Sequence, residues 1–265
     1  MPRDLADVLH YLLPEAEPKA ARTPPVHAGP TPARRPAALP LVGVPIGESD
    51  VVRSALTWNL AVEIARLGAR ALVLAPKSGG DEALLPVSGV GPVGVEVVHS
   101  DARGLGELHR HAIDVAVDRA AEAPEGGVVF VRIPPPWLAG LAESSSLLRW
   151  CLLFTSGDAR ELLETYGIAK LILGANECAR VGITVHGARR LADAEQAFAR
   201  LTRSTERHLG RELASYGLLV DDLDVYRAIV ARRPIGLAHP QSPAARALRD
   251  VARLVLDDAR EMAVV

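Results

Sequence analysis

The sequence predicts a three-layer, doubly wound α/β domain built on a mostly parallel sheet, preceded by a short N-terminal helix and a proline-rich linker. Three observations point there. From residue 38 onward, short apolar runs alternate with amphipathic stretches, the pattern of strands and the helices that cover them. Several of those runs are apolar at successive positions, as in strands buried on both faces. A chain of 265 residues with 49% hydrophobic and 23% charged side chains also has ample apolar material for one large core.

The elements follow in chain order. Leu5, Val8, Leu9, Leu12 and Leu13 recur at helical spacing with Asp4 and Asp7 in the opening turn, so residues 3–13 read as an amphipathic helix within an N-terminal segment 1–13. So short a helix is not stable alone in water. It must dock, either on its own domain or on a partner, and its acidic polar face argues against a membrane. Pro14, Pro18, Pro24, Pro25, Pro30, Pro32 and Pro36 mark residues 14–37 as a linker with no apolar periodicity. The domain proper is 38–265. Its strands are expected at 39–46, 71–75, 93–98, 128–133, 151–155, 181–186 and 213–219, and its helices at 52–67, 104–122, 157–166, 189–208, 222–231 and 243–261.

Composition removes several classes of function. Two cysteines, Cys151 and Cys178, stand far apart with no CxxC or CxxH pair, so neither a zinc module nor a disulfide framework is expected and a reducing cytoplasm fits. No metal is expected. The longest apolar runs are too short to span a bilayer, and the opening Met-Pro-Arg-Asp-Leu does not read as a signal peptide. A net charge of -2 gives no global field to draw the chain onto nucleic acid or anionic lipid.

The chemistry-bearing candidate lies between Leu41 and Arg70, where a strand ends at Gly47 and a helix starts near Val52. Strand, loop, helix is the context of a phosphate-binding loop. Set on the template G-x-x-x-x-G-K-[ST], residues 47–54 read G-E-S-D-V-V-R-S, with Gly47, Arg53 and Ser54 at the template positions and Asn59-Leu60-Ala61 following. Here the chain resembles the MinD/ParA family of P-loop ATPases, including FlhG-type proteins, whose loop reads K-G-G-V-G-K-T and is followed by N-L-A. The resemblance continues through Arg70–Lys77, Val129–Pro134 and Val181–Arg189, and into the closing segment from Asp224-Val225 through Arg233-Pro234 to His239-Pro240-Gln241-Ser242-Pro243-Ala244-Ala245, so it covers residues 38 to about 257.

The departures from that family weigh more. Arg53 stands for the phosphate-binding lysine, Glu48 for a second signature lysine, and Ser49, Asp50 and Val52 for three loop glycines. A cradle of inward amides uses backbone conformations that glycine reaches freely and a β-branched valine reaches with strain of roughly 1–3 kcal/mol. Ala75 and Lys77 replace two aspartates, and Arg132 replaces the aspartate that supports magnesium. The resemblance therefore implies a P-loop NTPase-like fold whose nucleotide site, with Gly47, Arg53 and Ser54 as its remnant, has lost ATP and hydrolysis. One expectation is that Arg53 pairs with Glu48 or Asp50; the other is that all three side chains are simply solvated.

The function expected is that of a non-catalytic, pseudo-ATPase adaptor that binds proteins during the positioning or assembly of a cellular machine. In FlhG-type relatives an N-terminal helix engages a partner GTPase, so Leu5, Val8, Leu9 and Leu12 are the candidate partner-binding residues. A homodimer, or a heterodimer with an active paralogue, is also implied. Two alternatives stay open: a divergent ATPase that still binds ATP with Mg²⁺, and a ParA-like protein that binds DNA through Arg227, Arg232, Arg233, Arg246, Arg249 and Arg253. Asp221, Asp222, Asp224, Asp250, Asp257 and Asp258 interleave with those arginines and favour a mixed solvated surface. The Gly89, Gly91 and Gly94 pattern precedes a strand instead of opening a helix and reads as a loop. His109 with His111, and His99 with Asp101, lack the spacing or companions of a catalytic or metal site.

Overall fold

The computed structural model describes residues 37–47, 49–77, 88–140 and 146–264. The helix and linker expected at 3–13 and 14–37 lie outside these, apart from residue 37. Eight strands form one sheet: β1 (Leu41–Pro45), β2 (Arg70–Pro76), β3 (Gly89–Val90), β4 (Glu96–Ser100), β5 (Gly127–Ile133), β6 (Trp150–Thr155), β7 (Arg180–Ala188) and β8 (Ala214–Val220). Their order is β3-β4-β2-β5-β1-β6-β7-β8, parallel throughout except for β3 against β4. The helices are α1 (Val51–Arg66), α2 (Leu105–Ala120), α3 (Ala159–Ala175), α4 (Leu191–Leu209), α5 (Leu223–Val230), α6 (Ile235–Ala238) and α7 (Pro243–Val264).

Burial explains the arrangement. Every residue of β5 and of β6 is buried, as continuous apolar runs in central parallel strands demand. Helices α1 and α7 pack on each other and on the sheet, whereas α3 and α4 pack together. The β1-to-β2 and β4-to-β5 connections run in opposite directions across the sheet, so right-handed crossovers put α1 and α2 on opposite faces. The connection leaving β1 runs toward β2 and the one leaving β6 runs the other way toward β7, and the crevice between two such strands is where open α/β sheets take their ligands.

Four elements depart from expectation, the first being the four-residue α6, which no expected helix covers. Residues 93–95 are not strand: Pro92–Gly94 is a 3₁₀ turn with Val93 at φ 51°, and the strand starts at Glu96. Gly89–Val90 adds a two-residue antiparallel strand ahead of it. Helix α3 runs to Ala175, nine residues past its expected end, because Gly167 and Gly174 sit on its exposed face and do not break it. Cys151 is buried and Cys178 exposed, and both are free thiols. Among the described residues no helix is long and apolar enough to cross a membrane.

Candidate functional site

Several backbone donors of the turn from β1 into α1 are spent on its own chain. Ile46 N–H donates to Ile133 O, Asp50 N–H to Gly47 O and Val51 N–H to Ser49 O, at 3.0–3.2 Å. Asp50 caps α1, its Oδ1 accepting from Arg53 N–H at 2.9 Å. Gly47 O in turn accepts from Nη2 of the buried Arg132 on β5 at 2.9 Å. An anion-binding turn works by pointing such amides outward, unpaired, at its ligand.

Arg53, in the first turn of α1 and only 5% exposed, lies across the β1/β6 crevice. Its Nε is 3.3 Å from Asp50 Oδ2, Nη1 donates to Glu164 Oε1 at 3.1 Å, and Nη2 reaches Glu161 Oε2 at 3.5 Å. Glu161 and Glu164 occupy the first turns of α3, which follows β6, the strand paired with β1. Glu161 Oε2 also accepts from Ser156 N–H at 3.1 Å and sits 3.4 Å from His186 Nε2 at the end of β7. Burial holds His186 below its ordinary 6.5; the Glu161 carboxylate opposes this and the Arg53 guanidinium adds to it. His186 is therefore neutral near pH 7, and three carboxylates facing one buried guanidinium leave negative charge in excess.

Of the residues singled out in the sequence, Gly47, Arg53 and Ser54 fall together at this turn. Arg53 takes the Asp50 pairing of the two proposed; Glu48 lies outside the described residues. Ser54 is buried, and its Oγ has no hydrogen-bond partner among the described residues. Leu5, Val8, Leu9 and Leu12 lie outside the described residues. Glu161, Glu164 and His186 were not singled out for this site. The available signal was an acidic pair at i and i+3 just after a central strand, but only the strand order places it opposite Arg53.

The other strand ends carry cations where the resemblance has acids. Lys77 after β2 pairs with Asp101 at 2.9 Å, and Ala75 is buried and apolar. His111 Nδ1 and His99 Nδ1 are hydrogen-bonded to Ser100 Oγ and Ser88 Oγ respectively. Among the described residues no group of three or more His, Cys, Asp or Glu side chains could hold a metal. Asn59 of the N-L-A triplet fastens α6, donating to Ala55 O and accepting from Ile235 N–H, both at 2.7 Å. Of the C-terminal arginines, Arg227, Arg249 and Arg253 pair with Asp224, Glu63 and Asp250.

A mostly parallel sheet with its first strand central, a turn into α1 from that strand, and a triplet anchoring the helix behind it define the MinD/ParA P-loop ATPase fold. The comparisons agree. A chain of the MinC:MinD cell division protein complex of Aquifex aeolicus superposes with TM-score 0.56 at 14% identity, covering 82% of this chain and 96% of that one. MinD of Pyrococcus horikoshii complexed with Mg-ADP gives 0.52 at 12%, covering 82% and 95%, and a ParA family ATPase from Chlorobium tepidum gives 0.52 at 11%, covering 81% and 98%. In sequence, the antiactivator FleN of Pseudomonas aeruginosa is 25% identical over 253 residues, 81% of this chain and 85% of that protein. No family model matches the sequence.

Proposed function

We propose that this chain is a pseudo-ATPase: a MinD/ParA-like fold that has given up nucleotide and serves as a protein-binding adaptor in positioning or assembling a cellular machine in the cytoplasm. The observation that carries the reading is Arg53, held by Asp50, Glu161 and Glu164 in the crevice at the reversal of winding. The residues present do not fit Mg-ATP. The amides of Asp50, Val51, Arg53 and Ser54 are engaged by the turn's own carbonyls and the Asp50 carboxylate. A carboxylate about 4 Å from a phosphate opposes it by roughly 4 kcal/mol per charge pair at an effective dielectric near 20. Magnesium would find Ser54 but no aspartate at residue 75, 77 or 132.

The adaptor part of the reading draws on the N-terminal segment, whose Leu5, Val8, Leu9 and Leu12 suit a groove on a partner protein. FleN is described as an antiactivator, a role that a protein without turnover can fill by contact, alone, as a homodimer or beside an active paralogue.

A second reading, a divergent ATPase, is favoured by one observation: the Ser54 hydroxyl is buried without a partner at the position of the template's Ser/Thr. Calorimetric titration of Mg-ATP into the full chain separates the two. The pseudo-ATPase gives no binding heat at millimolar nucleotide. Micromolar affinity would overturn it in favour of the divergent ATPase.

A further inference from the structure

Helix α5 presents an apolar face with no cover among the described residues. Leu223, Tyr226 and Val230, at i, i+3 and i+7, are 61%, 46% and 85% exposed and share one side of the helix. At its C-terminal end Arg232 and Arg233 are exposed and make no ion pair among the described residues. The helix closes in a Schellman motif, Arg233 N–H donating to Ala228 O and Arg232 N–H to Ile229 O, and Arg232 takes the left-handed position at φ 51°. Glycine is the residue that position favours.

We infer that this face is the intramolecular seat of residues 3–13. The segment opens with Asp4 and Asp7 and carries Leu5, Leu9 and Leu12 along it, while the seat is basic at one end, apolar along its length and acidic at the other end. Residues 14–37 can span up to about 70 Å as a polyproline chain. A domain of this size has a radius of gyration of only about 17 Å, so the tether reaches any point on its surface. Tethering also holds the segment at a high effective concentration, so a modest contact suffices. Asp221, Asp222 and Asp224 at the other end of α5 disfavour an anionic membrane as the occupant. The seat is independent of whether the nucleotide site is dead, and it withholds Leu5 and Leu9 from partners until one competes for them.

Hydrogen exchange on the full chain tests this. Amides of residues 223–233 should exchange about tenfold faster in Leu5→Asp/Leu9→Asp than in the wild type. The wild-type protection should be unchanged by dilution. Arg232→Glu/Arg233→Glu should lose the protection, and adding Asp4→Arg/Asp7→Arg to it should restore it, a rescue that misfolding cannot mimic. Equal exchange in wild type and Leu5→Asp/Leu9→Asp overturns the inference. So does protection that fades on dilution, which assigns the seat to a second copy's segment, or protection that appears only with phosphatidylglycerol vesicles.

Discussion

Removing the Arg53 guanidinium leaves Asp50, Glu161 and Glu164 converging with no cation between them. Breaking a fully buried pair costs about 3–5 kcal/mol; here the carboxylates are 27–47% exposed, so solvent takes up part of the charge and Arg53→Ala should cost about 1–3 kcal/mol in urea unfolding. Arg53→Lys should regain little of that loss, because one ammonium cannot reach three carboxylates, and it should gain no ATP binding. His186 sets a pH dependence at the same place. Its folded pKa lies below 6.5, so as pH falls below 6.5 the unfolded chain takes up the proton first and stability is lost. Denaturant midpoints should drop from pH 7 to 5.5, and His186→Gln should flatten that part of the profile. The Arg53–Asp50 contact was legible in the sequence because a capping aspartate and a residue three further on meet within one helical turn. Glu161 and Glu164 were not, since more than a hundred residues intervene and only the adjacency of β1 and β6 brings them in.

Among the elements, β6, β7 and β8 are bound to α7 by a buried polar chain. Trp150 Nε1–H donates to Tyr216 OH at 3.1 Å, Tyr216 OH donates to Asp258, and Arg180 lies 3.4 Å from the same Asp258 oxygen. Gly182 makes room for it, since a Cβ there would run into the Tyr216 ring. Gly182→Ala should therefore destabilise by about 1–3 kcal/mol through overpacking, readable as a lower thermal midpoint. At the end of α5 the sign reverses. Arg232→Gly removes left-handed strain on a residue with a Cβ and should stabilise the fold by up to about 1 kcal/mol, while deuterium uptake at 223–233 rises with loss of the seat. Central strands were legible because burial on both faces forces continuous apolar runs. The two-residue β3 and four-residue α6 were not, being fixed by partners elsewhere: β3 by its pairing with β4, α6 by Asn59. Helix α3 outruns its expected end because its glycines face solvent, where their missing side chains remove no packing.

For the whole molecule, the fold keeps the architecture that places a ligand at the β1/β6 crevice and fills the crevice from within. A sheet of this kind is stabilised by its two helical layers and needs no ligand to close its core, so loss of a cradle leaves the platform standing. If it is the adaptor proposed above, what it then does is decided by its surface, with α5 and the segment 3–13 as the candidate contacts. The most direct test is the unfolding midpoint of the full chain with and without millimolar Mg-ATP. The midpoint should not move. Nucleotide held at a hundred times its Kd would add about 2.7 kcal/mol, and for a domain of this size that raises the midpoint by roughly 5–11 °C; a rise of that order would contradict the account.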